Sequence, residues 1–533
     1  MSGRHFKKAS MLSRLLTLAM IVASTSLTRA AHAAAPGIKG PTFNLTAQPA
    51  YLTQPDGQTV YSWGYGCKGA PAGGFAPTGI AGATCPSMQV PGPTLIVTEG
   101  QTVNVTLTNG LPTPAGNTSI LFPGFQVTAS GGVPGLLTRE AAPGGTVTYT
   151  FTASSPGTRA YYSGTQGDLQ IEMGLYGAII VLPSTTPSCP ARNLHAGVSP
   201  SDPTTTLANG EKDFRLAHSA YDHAKSCYDR EYLFQFSEMD PDIHALALAQ
   251  VTAAGNCNVG APGCSLEVAT EPYVPAYFMV NGRSMPDDMD PNYAPQYPHQ
   301  PYNGNPHMHP GDQVLLRIIG QGRWQHPFHE HGNHVRILAR DGNLILSQTD
   351  ANSLAGSVLF TTTTTPGQAM DGIFYWTGKG LNWDPYGHNP TSTDPAAKLS
   401  CTADSNGYNT SATNKINYYE WCQDHNKPVQ ATPIGDVPKG GPVTLPDPNI
   451  FVNGAWYGGS PYLGPDATIR AVGSTGSTPP SGTIANPPTS EAGFAFMWHS
   501  HNEREITTNN VFPGGMLMMM LVDSREFVID ESN

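Results

Sequence analysis

One pattern recurs along this chain and limits its fold more than any other: a turn carrying Gly, Pro or Asn, then a short run of alternating apolar and polar residues. In PGPTLIVTEGQTVNVTLTNGLP (91–112), Val103, Val105 and Leu107 fall at every second position between the Glu99-Gly100 and Asn109-Gly110 turns. A period of two is that of a strand with one buried face. PGGTVTYTFTASSPGT (143–158) repeats the alternation, and GLYGAIIVLP (174–183) reads as a fully buried closing strand. Together these make a first sandwich unit, residues 36–185. The same grammar restarts at EYLFQFSEMD (231–240) and continues through YFMVNGRS (277–284), HPGDQVLLRIIG (309–320), NHVRILARDG (333–342), PGQAMDGIFYW (366–376) and FAFMWHSH (494–501). A second unit therefore spans 229–527, with a linker at 186–228 and a long insertion at about 378–490 rich in Gly, Pro, Asn and Ser. With 58 Gly and 49 Pro in 533 residues, the chain is expected to be all-β. The best helix candidate is HALALAQVTAA (244–254).

Residues 1–33 have the parts of a secretory signal: Arg4, Lys7, Lys8 and Arg14, an apolar run at 15–22, and Ala31-His32-Ala33. Removing its five basic residues takes the formal net charge from −12 to −17. An acidic surface with 12% charged residues has no basic run for phosphate, so nucleic-acid binding is excluded. No run after residue 33 reaches 18 apolar residues, so no membrane span is expected. Cys67, Cys85, Cys189, Cys227, Cys257, Cys264, Cys401 and Cys422 are an even number, and in a secreted or periplasmic chain they are expected to form disulfides. Pairing between sequence neighbours is the simplest arrangement; none has C-x-x-C spacing.

Histidines are distributed unevenly. None lies between 33 and 194, whereas His326, His329, His331, His334, His499 and His501 crowd into two short segments. Residues i and i+2 of a strand share a face. His329 and His331 therefore form one pair and His499 and His501 another, and adjacent strands would put four imidazoles around one first-row metal.

These residues carry a resemblance to the multicopper oxidases, which are built from cupredoxin domains. PGPTLIVTEGQTVNVTLTN and GLYGAIIV resemble the family's first-domain strands. HPFHEHG (326–332) resembles its His-Pro-x-His-x-His-Gly motif, and WHSH (498–501) followed by GGM (514–516) resembles its His-Cys-His segment with a downstream methionine. The resemblance implies tandem cupredoxin-like Greek-key β-sandwich domains. In the family, a blue type 1 copper takes the first His of the former motif, the Cys of His-Cys-His, a His five residues later and often a Met. Here those positions are His326, Ser500, Glu505 and Met516. A serine cannot supply the thiolate of a blue site. The family's trinuclear cluster takes four histidines from each of two domains; His329, His331, His499 and His501 match one half, while SILFPG (119–124) has Leu121 and Pro123 at histidine positions of the other.

The expectation is thus a mononuclear site of His329, His331, His499 and His501, preferably copper on the strength of the resemblance, with zinc nearly as suitable. His326 would be a fifth or peripheral ligand, and Glu505 would orient an imidazole from behind. Conventional laccase activity is not expected. Two readings follow: an exported oxidoreductase acting at one ion on an unidentified small-molecule or metal-ion substrate, or a non-catalytic copper/zinc-binding or envelope scaffold protein. Two-domain relatives form trimers, so a homo-oligomer is a third element, although an identical partner brings another histidine-free first domain.

Smaller signals have bland readings. GGMLMMM (514–520) suggests soft thioether ligands for copper(I), but Met516, Met518 and Met520 at alternate positions would all face one way and are expected to pack in a core. PHMHPGD (306–312) reads as an exposed turn before a strand, with His307 and His309 otherwise an accessory copper site. SMPDDMDPNYAPQYPHQPYNGN (284–305) reads as an exposed loop, otherwise a lid. Ser500 points away from its flanking histidines, which argues against nucleophilic catalysis.

Overall fold

The computed structural model describes residues 34–190, 211–379, 402–411, 419, 421–422, 459–463, 484–485, 492–523 and 529–531. Each alternating run forms a strand where its apolar residues can share a core. In the first unit, one sheet orders Gly157–Tyr162, Tyr176–Leu182, Leu95–Thr98, Gly37–Lys39 and Phe75–Ala76. The other orders Thr59–Cys67, Thr42–Thr53, Thr102–Asn109, Thr146–Thr152 and Thr128–Gly131. Val103, Val105 and Leu107 of one strand and Val147, Tyr149 and Phe151 of its antiparallel partner close the core between them.

The second unit is also two sheets. One orders Tyr277–Val280, Arg230–Met239, Val314–Gly320, Ala369–Phe374, Val335–Arg340 and Asn343–Leu344. The other orders His307–Met308, Leu517–Asp523, Ala492–Ser500, His326–Glu330 and Thr361–Thr364. The result is the expected all-β class, tandem cupredoxin-like sandwiches. EYLFQFSEMD lacks alternation because its strand is covered on both sides. Tyr232, Phe234 and Phe236 face the core shared with Phe328, Trp498 and Met518, while Leu233 packs with Ile96, Ala178 and Ile180 of the first unit. The first unit therefore lies behind the sheet that carries Arg230–Met239, and the sheet that carries His326–Glu330 covers its other face. Buried ionic groups pin this junction: Arg317 bonds Glu231 at 2.9 Å and Thr158 at 3.0 Å, and Tyr221 donates to Asp371 at 2.5 Å.

The helix at Pro241–Ala254 begins at an Asp240 side chain that accepts from the Asp242 amide, with Pro241 opening the first turn. Ile243 and Ala247 seat it on the first unit's core. No helix among the described residues is long and apolar enough to cross a membrane. Disulfides join Cys67 to Cys85, Cys189 to Cys227, and Cys257 to Cys264, each between sequence neighbours. Cys401 lies outside the described residues.

Three segments differ from their sequence reading. Residues 211–228, expected as part of a linker, are packed: Phe214, Leu216, Tyr221 and Tyr228 are buried, and the Arg215 guanidinium is held by Asp213. The 284–305 segment is not an exposed loop but an interdomain strap. The Val90 amide donates to His299 O at 2.8 Å, the Thr94 amide to the Tyr302 hydroxyl at 3.1 Å, and Gln300 to Thr53 O at 3.0 Å. Most of the insertion expected at 378–490 lies outside the described residues; within it, Gly459–Leu463 pairs antiparallel with Ala492–Ser500.

Candidate metal centre

The site is made by register. His326–Glu330 and Ala492–Ser500 run antiparallel with Phe328 opposite Ser500, His329 opposite His499 and Glu330 opposite Trp498. Even-numbered residues of both strands face the core, where Phe328 and Trp498 lie. Odd-numbered residues share the outer face, so His329, His331, His499 and His501 stand together there. One ring nitrogen each from His329, His331 and His499 lies within 4.8 Å of the others. Nε2 of His331 is 3.2 Å from Nε2 of His499. His501 is at the rim: its ring centroid is 4.8 Å from that of His329, but its side chain is 53% exposed. The structure thus gathers three of the four imidazoles tightly and leaves the fourth toward solvent.

Neighbouring groups orient the rings. His329 Nδ1 is 2.7 Å from the Thr361 hydroxyl, and His499 Nδ1 donates to its neighbour's carbonyl, Ser500 O, at 2.7 Å. Because Ser500 O can only accept, His499 carries its proton on Nδ1 and its Nε2 faces the cluster unprotonated, while the Thr361 hydroxyl sets the orientation of the His329 ring. The Trp498 indole N–H donates to His331 O at 3.0 Å and fixes the end of the motif. Gly332 then turns the chain at φ 97°, and an added Cβ would stand 2.9 Å from the Phe496 ring. The glycine is required for both reasons. Burial, then the rings of His331, His499 and His501, push the His329 imidazole down to about 4; burial also lowers His499. Neutral rings are what metal ligation needs. Three converging imidazole donors, with His501 exposed at the rim, fit a first-row divalent ion such as copper or zinc.

His326 is the main correction. Three positions before His329, it faces the core, and both its ring nitrogens are taken: Nδ1 by Glu505 and Nε2 by Glu238, each at 2.9 Å. Burial alone would lower its pKa, but these two carboxylate bonds outweigh burial and raise it to about 9. It is a buried imidazolium, unsuited to be a fifth ligand. Glu505, expected to orient a cluster imidazole, instead accepts from His326, Ser500 Oγ and Asn502. Met516 is buried beside them, its amide donating to Glu505 O at 2.8 Å and its carbonyl accepting from the Ser500 amide at 3.0 Å. The positions equivalent to a blue copper site in the resemblance therefore converge in space but hold a Ser–Glu–His–Glu hydrogen-bond chain. Beyond Glu238, the Tyr273 hydroxyl is 3.3 Å from Glu238 and 2.7 Å from Glu172 of the first unit.

His307 and His309 are not in an exposed turn. Both are fully buried, His307 against Asp523, His309 against Glu211, and the Arg230 guanidinium ties Glu211 to Asp312 and Glu531. Glu238, Thr361 and the partners of His307 and His309 escaped sequence reasoning, because each reaches its histidine from a distant segment.

With the geometry established, comparison with known proteins places one segment of the chain. Residues 83–186 match the multicopper oxidase family model. That segment carries a multicopper oxidase domain. Laccase 1 of Metarhizium acridum is 39% identical over 98 residues, and multicopper oxidase MCE of Talaromyces pinophilus is 37% identical over 98 residues. Each alignment covers 18% of this chain and 15% of the relative, so the likeness spans less than a fifth of either protein. Among solved structures, the multicopper oxidase mgLAC aligns with a TM-score of 0.42 and 15% identity over 90% of this chain and 86% of its own. A blue copper oxidase from Nitrosomonas europaea gives 0.42 and 15% over 90% and 85%. The family is one of copper proteins.

Proposed function

We propose that this chain is an exported copper protein of the multicopper oxidase family that holds one copper on His329, His331 and His499. The observation that carries this reading is the convergence of three imidazole nitrogens within 4.8 Å on one sheet face. Copper bound there would supply a one-electron couple and an open coordination position. The protein's own part is to hold the rings ready. Thr361 and the Ser500 carbonyl fix two imidazoles, burial keeps them neutral, and His501 offers a solvent-facing base at the rim for a proton moving to or from a small substrate. The three disulfides support an oxidising compartment.

A second reading, copper or zinc holding without turnover, has its own support. By the motif resemblance, Ser500, Glu505 and His326 correspond to the family's type 1 copper positions, and here they form a hydrogen-bond chain with Glu238. Without a thiolate there, four-electron oxygen reduction is excluded and any redox chemistry is confined to the single ion.

Metal analysis of the purified mature protein, with electron-spin spectra after copper(II) loading, tests the site. One equivalent of copper, abolished by His329→Ala and by His499→Ala, is the expected result. Stoichiometric binding that survives both substitutions, or none in the wild type, overturns it. Turnover of phenol or metal-ion donors by the loaded protein then separates the two readings.

A further inference from the structure

The outer face that carries the histidines also carries two methionines. In the ladder between Ala492–Ser500 and Leu517–Asp523, Met497 stands directly opposite Met519 and His499 opposite Leu517. On the other side, the ladder with His326–Glu330 ends where Glu330 stands opposite Trp498, and His331 is the residue that follows. Met497 and Met519 therefore form a cross-strand pair on the face of His499, two residues along the strand from it. Their neighbours Phe496, Trp498, Met518 and Met520 belong to the core, whereas Met497 and Met519 are partly exposed.

Directly opposed residues of an antiparallel pair have Cβ atoms about 4.5–5.5 Å apart. Two unbranched thioether arms rooted at that spacing can bring both sulfurs to a single ion. Thioether sulfur is a soft donor that selects copper(I), while the all-imidazole group beside it suits copper(II). His331 stands next to this pair through His499: its Nε2 lies 3.2 Å from that of His499, which shares a strand face with Met497.

We propose that Met497 and Met519, with His331, form a second, soft-metal site that takes copper(I) and passes it to or from the His329–His331–His499 group by exchange of ligands around the shared imidazole. The transfer rests on the copper reading above; the thioether site itself does not. Burial of Met516, Met518 and Met520 explains why the neighbouring methionines take no part.

Silver(I), a redox-silent ion with the same preference for sulfur, is the probe. Methyl-labelled methionine spectra of the full chain are recorded during titration, and the resonances of Met497 and Met519 are assigned by their loss in Met497→Leu and Met519→Leu. Leucine conserves volume, and unchanged melting confirms that the sheet is intact. The expected result is that the first equivalent of silver(I) shifts these two resonances, and that the double leucine variant binds silver(I) at least tenfold more weakly. His329→Ala should lose copper(II) yet keep the methionine response, which separates failure of the imidazole site from failure of this one. Unmoved resonances, or a double variant binding as tightly as the wild type, overturn the proposal.

Discussion

Replacing Glu505 by Gln should make the stability of this protein less dependent on pH in a defined window. His326 is fully buried, with carboxylates at 2.9 Å from each ring nitrogen, and its pKa is raised to about 9. Moving a histidine pKa from 6.5 to about 9 corresponds to about 3 kcal/mol of stability. Since the folded value lies above the unfolded one, that contribution is complete below about pH 6.5 and disappears as pH rises through about 9. The two carboxylates bond at equal distance, so removing the charge of one should forfeit about half, roughly 1.5 kcal/mol at pH 6. Gln keeps an acceptor for Ser500 and a similar volume, which confines the effect to charge. Urea unfolding followed by tryptophan fluorescence at pH 6 to 10 measures it. Glu330 and Asp523, whose carboxyls burial pushes up to about 8, also erode stability as pH rises, but they do so in both proteins and cancel in the difference. The wild type should lead the variant by about 1.5 kcal/mol at pH 6 and converge with it by about pH 10. A difference constant across that range would refute the assignment of His326 as a buried imidazolium.

Other consequences follow from the same geometry. Thr361→Val removes the hydroxyl 2.7 Å from His329 Nδ1 and should weaken copper(II) binding about tenfold in a competition titration, with melting nearly unchanged. Gly332→Ala should destabilise by about 2 kcal/mol or more, because a Cβ would stand 2.9 Å from the Phe496 ring at a φ of 97°; denaturant midpoints measure this. Ser500→Cys alone should give no intense thiolate-to-copper absorption after copper loading, because Glu238 and Glu505 still hold both nitrogens of His326. An intense visible band in that variant would show that the carboxylates yield to metal.

Much of the fold was legible because strands advertise themselves by period two, and each quoted run became a strand. The pairing of His329 with His331 and of His499 with His501 on one face followed from the same period. The parity of His326 was also available: three positions from His329, it belongs to the opposite face of an extended strand, and the resemblance to a ligand motif obscured that. What could not be read locally was register. His329 sits opposite His499, Met497 opposite Met519, and Glu238 behind His326 only after segments far apart in the chain pair. Burial of polar segments was hidden for the same reason. His309 looked like part of an exposed turn because its partners, Glu211 and the Asp523 carbonyl, are 98 and 214 residues away.

The two faces of one strand pair hold different groups. On the outer face, the imidazoles of His329, His331 and His499 converge, with burial lowering the pKa of His329 and His499. On the inner face, one residue away, a proton replaces a metal. Glu238 and Glu505 together bring two negative charges into a dry environment, and His326 returns one positive charge while donating a bond to each. A blue copper ion entering there would have to expel that proton and would lack the thiolate that Ser500 cannot provide. Buried carboxylates left without their imidazolium would also face a desolvation cost of several kcal/mol. The inner-face arrangement therefore disfavours a blue copper ion. On the reading proposed above, copper would be held on the histidine side of the sheet.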